Sequence, residues 1–188
     1  MVDGSGQIWM STNASLTLAM LLEVADAEAT PPIVHPSAKI GEHVVLHPRV
    51  VIGKNVVIGA HAVIGHPGFG WATSDKGARA IPQLGGVVIC DDVSIGPLCT
   101  IDAGTLSPTR IGARTKIDAH VHVGHNVVIG EDCMIAAQCG FAGSAVIGNR
   151  VMIGGQVGVG DHVHVGDDAK IAGKSGVIGD VPAGAVVA

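Results

Sequence analysis

The stretch "IGARTKIDAHVHVGHNVVIGEDCMIAAQCGF", residues 111–141, decides the fold, because a large apolar side chain returns in it at every sixth position. The same period continues to Val177 and, in earlier segments, reaches back to Val34. A Gly, Ala or Asp usually follows the apolar residue, and a small side chain usually stands four positions after it. Repeats of six residues with this composition are the signature of a parallel β-helix.

The repeat also explains the composition. Each hexad predicts one short strand and a corner, and three hexads predict one triangular coil around a narrow interior. Such an interior is too tight for aromatic rings, and the 188 residues include two Phe, two Trp and no Tyr. We therefore expect an all-β fold with the β-helix over residues 34–188. Cys99, Cys133 and Cys139 hold the small inward position of their hexads, so we expect them to fill the core.

Two segments interrupt the period. Residues 66–87, "HPGFGWATSDKGARAIPQLGGV", shift the register and include Phe69 and Trp71, which predicts a long loop ejected from the coil. A long excursion from a compact repeat is more often functional than idle. A second, smaller corner loop around residues 103–109 adds four residues to the period.

Residues 1–33 precede the repeat and are expected to form a short appendage. Ser15 is a suitable N-cap for a helix through "LTLAMLLEVADAEA", and Pro31 and Pro32 would end it.

Charge and cysteine usage narrow the classes of function and location. With 11 Lys plus Arg against 16 Asp plus Glu, the net charge is −5 and no basic block appears. This balance argues against nucleic acid or an anionic membrane as a partner. The sequence shows no positively charged region before its N-terminal apolar run, no apolar stretch of membrane-spanning length and no CxxC spacing. We expect reduced thiols in a cytoplasmic protein without an integral membrane segment.

The register separates the three histidines of "AHVHVGHN". Residues 18 apart stack about 4.8 Å from one another on successive coils. His125 therefore lies next to Gly143 in one column, whereas His120 and His122 belong to the preceding hexad and are expected on an outward wall. In the adjoining column His162 follows two coils after Asn126, so it shares the edge of His125 at roughly 9.6 Å.

The spacing of the histidines allows two interpretations, a zinc site or a catalytic base. Hexapeptide-repeat carbonic anhydrases bind zinc through three histidines, two of them separated by four residues, as His120 and His125 are. The positions that would supply the third ligand hold Leu84, Gln138 and Gln156, so we expect no metal. The alternative is acyl transfer, which requires a base beside a free backbone N–H, and Gly143 offers such a group next to His125.

Longer blocks of sequence resemble a known family. "GFG", "IPQLGGVVICDDVSIGPLCTID" and "VGHNVVIGEDCMIAAQCGFAGSAVIGNRVMIGGQVGVGDH" are similar to the UDP-3-O-acylglucosamine N-acyltransferases of lipid A biosynthesis over about residues 34–175. The resemblance implies a left-handed β-helix and a homotrimer with active sites between subunits. It also implies a UDP-amino sugar as acceptor, no permanently bound cofactor, and an acyl carrier protein whose phosphopantetheine presents a 3-hydroxyacyl thioester.

The resemblance also assigns roles by position. His125 matches the family's general base, Gly143 the backbone donor to the oxyanion, and His162 a histidine associated with substrate. The substrate-contacting residues expected with them are Phe69, Gln83, Asn126 and Ser144. Since only 33 residues precede the repeat, we expect most of the family's N-terminal uridine-binding domain to be lacking.

Three alternatives remain open from the sequence. CoA could replace the carrier protein in an acetyl-CoA-dependent N-acetyltransferase of another amino sugar. A zinc enzyme resembling carbonic anhydrase is a second alternative, and a trimeric scaffold without activity is a third.

Overall fold

The computed structural model describes residues 11–25 and 29–188. They form a left-handed parallel β-helix of about nine turns with one helix, which confirms the predicted fold class. Within the described residues, no helix is both long and apolar enough to cross a membrane.

Three parallel sheets form the faces of the prism, and each strand pairs with strands one coil before and after it. Sheet 1 contains β1 (Ile33–Val34), β4 (Val50–Ile52), β9 (Val87–Ile89), β12 (Thr109–Ile111), β15 (Val128–Ile129), β18 (Val146–Ile147) and β21 (His164–Val165). Sheet 2 contains β2 (Lys39–Ile40), β5 (Val57–Ile58), β10 (Ser94–Ile95), β13 (Lys116–Ile117), β16 (Met134–Ile135), β19 (Met152–Ile153), β22 (Lys170–Ile171) and β24 (Val186–Val187). Sheet 3 contains β3 (Val45–Leu46), β6 (Val63–Pro67), β11 (Thr100–Ala103), β14 (His122–Val123), β17 (Gly140–Phe141), β20 (Gly158–Val159) and β23 (Gly176–Val177).

The periodic residues from Ile52 to Val177 form the core, whereas Val34 and Ile40 of the first coil are exposed. The core residues point inward, mostly from the ends of their short strands, and in β15 and β18 Ile129 pairs directly with Ile147 on the next coil. The inward small position is equally buried, and Cys99, Cys133 and Cys139 are at most 1 % exposed, as predicted. The core is therefore a stack of aliphatic and small side chains that runs the length of the prism.

Phe141 contradicts the expectation that no aromatic ring fits inside. Its side chain is 1 % exposed and stands in the inward column of sheet 3. Its partners on the neighbouring coils are Val123 and Val159, each smaller than the isoleucine that fills most inward positions of the other two sheets. The volume that these valines leave accommodates the ring, because interiors conserve total volume more strictly than the identity of each side chain.

The corners of the prism impose a left-handed backbone conformation. One residue near the end of each regular corner has a positive φ, and it is rarely glycine. The four histidines at this position are His43, His61, His120 and His162, with φ between 57° and 61°. Because His and Asn are enriched in the left-handed region, these side chains have a conformational explanation that is independent of chemistry.

The N-terminal appendage contains a helix, α1 (Ala14–Ala25). Its N-cap is Asn13, whose Oδ1 accepts a hydrogen bond of 3.0 Å from the backbone N–H of Leu16. The predicted cap, Ser15, is wrong, because Ser15 already lies in the first turn of the helix. Residues 26–28 of the predicted helix lie outside the described residues.

The excursion is more ordered than the predicted loop. Strand β6 carries the chain out to Pro67, and an antiparallel hairpin follows with strands β7 (Trp71–Ser74) and β8 (Gly77–Ala80). Helix α1 packs on this hairpin, where Glu23 pairs with Arg79 and Asn13 donates to the carbonyl of Thr73. The hairpin thus provides the packing contact between the helix of the appendage and the β-helix.

Replacing Leu98 with Asn is expected to stabilise the fold by about 1 kcal/mol, because an L-residue with a branched apolar side chain is strained in the left-handed region and Asn is not. Leu98 has a φ of 60° and is 48 % exposed, so little packing is lost. The midpoint of thermal unfolding measures the effect. Leu106→Asn is the control, since Leu106 is 66 % exposed without a positive φ. Equal shifts for both variants would contradict the explanation.

Candidate active site

The ring of His125 lies between two glycines at the corner between sheets 3 and 1. A Cβ on Gly143 would stand 2.6 Å from His125 Nε2, and a Cβ on Gly68 would stand 2.5 Å from His125 Cβ. Both glycines are therefore required by the position of the histidine itself. Gly143 on the next coil and Gly68 in the excursion confine the partly buried ring from two sides.

The neighbouring amide fixes which nitrogen of His125 carries a proton. Asn126 Nδ2 lies 3.1 Å from the carbonyl oxygen of Ser107, and Asn126 Oδ1 accepts from the Thr105 N–H at 3.1 Å, so the amide has one orientation. His125 Nδ1 lies 3.2 Å from that same Oδ1. An amide oxygen can only accept, so Nδ1–H is the donor of this bond. In the neutral ring the lone pair therefore lies on Nε2, the nitrogen beside Gly143, which can take a proton.

The hydrogen bonds continue from Asn126 into both interruptions of the repeat. The hydroxyl of Thr105 lies 3.0 Å from Asn126 Oδ1 and 2.9 Å from Gln83 Oε1, so its single proton is shared between these two acceptors, while Gln83 Nε2 donates to the carbonyl of Ile81. The backbone N–H of Asn126 donates to the hydroxyl of buried Thr109 at 2.9 Å. Gln83 from the excursion and Thr105 from the smaller loop thus hold the orienting amide in place.

Gly143 presents a free backbone N–H beside the base. The flanking amides donate along the prism, Ala142 to Val159 O and Ser144 to His125 O, but the N–H of Gly143 has no acceptor among the described residues. Other corners also leave an N–H at this position. Here the residue lacks a side chain and lies against Nε2 of a histidine, so the donor is accessible to a group that reacts there.

The remaining predicted site residues are less closely connected. The main chain stacks as the register predicted, with Ser144 N donating to His125 O and His162 N to Gly143 O at 3.1 Å. In the described part of the chain no hydrogen bond joins the side chains of Ser144 or His162 to His125. Phe69 follows Gly68 directly and is 87 % exposed, with its ring 6.3 Å from that of Trp71. The excursion therefore presents two aromatic rings to solvent near the base.

The carboxylate of Asp102, which the sequence analysis did not select, lies on the side of the prism from which the excursion leaves. Asp102 is 7 % exposed, and its side chain makes no hydrogen bond to any described residue. Its nearest titratable neighbour is His122, whose Nε2 is 3.7 Å from Asp102 Oδ2. Burial raises the pKa of Asp102, and the imidazoles of His122, His66 and His125 oppose this shift when they are protonated.

A cleft of about 600 Å³ opens between the excursion and the first coils. Its walls include His47, His66, Gly68, Trp71 and Gln83. Of its lining residues, Gly68 packs against His125, and Gln83 is linked through Thr105 to Asn126, so the cleft lies next to the surroundings of the base. Its volume lies within the usual range for small-molecule sites.

In the ranges 11–25 and 29–188, no three His, Cys, Asp or Glu side chains are placed so that they could hold a metal ion. The pair that suggested zinc is split by the fold. His120 occupies the left-handed position of the corner between sheets 2 and 3, while His125 lies at the next corner.

Sequence reasoning missed Gly68, Thr105, Ser107 and Asp102. All four lie in or beside the two interruptions, where the period no longer determines which residues stack. The one available signal was the position of these interruptions, since both adjoin the corner that carries His125.

Two family models match the repeats. The model for bacterial transferase hexapeptide (six repeats) matches residues 31–66 and 108–143, and that for the hexapeptide repeat of succinyl-transferase matches residues 144–173. Together they span more than half of the chain.

Curated relatives match over a shorter segment. The UDP-3-O-acylglucosamine N-acyltransferase of Rhizobium rhizogenes is 50% identical over 52 residues, which is 28% of this chain and 15% of that protein. The enzyme of the same name from Leptospira biflexa is 50% identical over 48 residues, 26% of this chain and 14% of that protein. These matches span about one seventh of the relatives' length.

Solved structures match over most of the chain. UDP-N-acetylglucosamine O-acyltransferase from Moraxella catarrhalis has a TM-score of 0.55 and 31% identity, over 80% of this chain and 66% of that one. UDP-N-acetylglucosamine acyltransferase from Francisella novicida has a TM-score of 0.65 and 29% identity, over 78% and 61% of the two chains. Over more than half of its length the chain therefore consists of the hexapeptide repeats that these two models describe, and its resemblance to the UDP-3-O-acylglucosamine N-acyltransferases is confirmed.

Proposed function

We propose that the chain transfers an acyl group from the phosphopantetheine thioester of an acyl carrier protein to the 2-amine of a UDP-3-O-acylglucosamine-like sugar. The observation that carries the proposal is the pairing of His125 Nε2, free to accept a proton, with the unpaired N–H of Gly143. The relatives named above act on UDP-sugars by name, which supports this class of acceptor. The site between subunits of a homotrimer and a cytoplasmic location belong to the same proposal.

The reaction would follow from the geometry of these two groups. The neutral amine attacks the thioester carbonyl carbon as His125 Nε2 takes one of its protons. The oxygen of the tetrahedral intermediate becomes negative and accepts a hydrogen bond from the N–H of Gly143. When the C–S bond breaks, the proton on His125 passes to the leaving thiolate, so the products are an amide and a thiol.

The other residues would bind and orient substrate. Asn126 holds His125 in the required tautomer, and Gln83 holds Asn126 through Thr105. The sugar nucleotide would lie in the cleft that ends at Gly68, with the exposed ring of Phe69 at its rim. Ser144 and His162, which continue the column of Asn126, would contact the substrate further along the prism.

Replacing His125 with Ala is expected to lower kcat for acyl transfer about 10²- to 10⁴-fold, the usual contribution of a positioned general base. The assay detects the amide product by mass spectrometry after incubation of a UDP-3-O-acylglucosamine with 3-hydroxyacyl carrier protein. A parallel reaction with acetyl-CoA distinguishes the donors. His120→Asn is the control, since this histidine occupies another corner and Asn tolerates its φ of 58°. Full activity of the His125→Ala variant would overturn the proposal.

Replacing Gly143 with Ala is expected to lower kcat/KM about a hundredfold, because the added Cβ would lie 2.6 Å from Nε2 and displace the catalytic ring. The backbone N–H is retained, so the loss reports the position of His125. Gly176→Ala is the matched control, since a Cβ there meets nothing within 4 Å. A similar loss in both variants would show that Ala is harmful in the coil generally.

A further inference from the structure

We propose that the carboxylate of Asp102 receives the acceptor's amine as an ammonium ion and thereby selects an amine over a hydroxyl beside His125. This inference rests on the proposed function for the identity of the reaction. It concerns a residue outside the hydrogen-bond network described above.

A register shift between two strands sets the position of Asp102. The ladder between β6 and β11 pairs Thr100 with Val63 and then shifts register between Ile101 and Asp102, so that Asp102 stands opposite His66. Bulges of this kind re-aim a side chain and are frequent next to active sites. The irregularity therefore places the carboxylate on the strand edge where the excursion leaves the coil.

The carboxylate is incompletely satisfied by the protein. It is 7 % exposed, yet no N–H or O–H within residues 11–25 and 29–188 donates a hydrogen bond to it. His122 at 3.7 Å is beyond hydrogen-bond distance, and its Nδ1 is engaged by the Thr100 hydroxyl at 2.8 Å. No fully enclosed side-chain oxygen of the described residues lacks a hydrogen-bond partner, so the oxygens of Asp102 keep contact with solvent. A donor for this carboxylate therefore comes from outside the protein, either from water or from a ligand.

Asp102 interacts electrostatically with His66, His122 and His125. It stands opposite His66, two residues before Gly68, and Gly68 packs against His125. A group held by Asp102 therefore lies near the base that would act on the acceptor. An amine bound there as –NH₃⁺ must lose one proton before it attacks. Burial raises the pKa of Asp102, which makes its carboxylate a better acceptor for that proton than an exposed one. The proton moves from –NH₃⁺ to the carboxylate, leaving –NH₂ and –COOH, and then passes to solvent.

Asp102 would distinguish a positively charged ammonium group on the acceptor from a neutral hydroxyl group. A charge-assisted hydrogen bond to a carboxylate is roughly twice as strong as a neutral one, so an ammonium gains more than a hydroxyl at the same position. The distinction matters for this chain because its relatives include both N-acyltransferases and O-acyltransferases. The matching curated proteins are N-acyltransferases, and the Moraxella catarrhalis structure is an O-acyltransferase.

Binding without an acyl donor tests the inference separately from turnover. UDP-glucosamine and UDP-glucose differ only in the 2-amino or 2-hydroxyl group, and isothermal titration at pH 7 gives the ratio of their dissociation constants. We expect the unmodified chain to bind UDP-glucosamine about ten- to a hundredfold more tightly, and Asp102→Asn to bring the ratio close to one. Affinity for UDP-glucose should change no more than about threefold, since a hydroxyl gains little from the charge.

Matched variants exclude general effects of charge and folding. Asp75→Asn removes the same charge from the exposed turn of the hairpin and should keep the ratio of the unmodified chain. Asp102→Ala supplies a second neutral side chain if Asp102→Asn does not fold. A purely structural role of Asp102 would weaken both sugars equally and leave the ratio unchanged.

The outcomes separate this inference from the proposed function. Retention of the preference for UDP-glucosamine in Asp102→Asn, or failure of both sugars to bind the unmodified chain, overturns the role of Asp102. A preference that depends on Asp102 in a chain that transfers no acyl group to UDP-3-O-acylglucosamine supports this inference and overturns the proposed function alone.

Discussion

The width of the prism is the constraint on which the rest of the structure depends. Each hexad has room for one large and one small side chain inside, so the large apolar residue must recur at every sixth position. The chain must also turn a corner between consecutive strands. That turn requires a left-handed φ in residues such as Arg114, Asn126 and Asp132. Asn, Asp and His meet this requirement at low cost, which explains why polar residues crowd the corners of an otherwise apolar repeat.

The same constraint makes interruptions informative. A coil that repeats without change leaves only open depressions along its faces. The excursion at residues 66–87 and the smaller loop at 103–109 add the material that covers one corner. Gly68 from the first and Thr105 from the second both reach the corner that carries His125. A reactive group needs such a partly enclosed position, and the regular coil cannot supply one.

The period allowed much of the fold and part of the site to be predicted. It assigned the inward residues, the register of 18 and the juxtaposition of His125 with Gly143, because stacking follows directly from spacing. It could not place Gly68, Ser107 or Asp102, whose positions depend on how two aperiodic segments return to the coil. The period placed Phe141 inside correctly, but the expectation that the interior excludes aromatic rings was wrong, since the fit of this ring depends on the valines of neighbouring coils rather than on its own hexad.

Asn126 shows how a structural position becomes a functional one. The corner requires the φ of 61° that Asn126 adopts, and at other corners Asp or Gln adopts the same conformation. At this corner alone among the described hexads, the loops place Thr105 and Ser107 around the amide and a histidine beside it. The backbone conformation fixes where the amide lies, the loops fix which way it points, and the amide fixes the tautomer of His125. Because each step is settled before a substrate arrives, the lone pair of Nε2 is preorganised, and its orientation needs no rearrangement during the reaction.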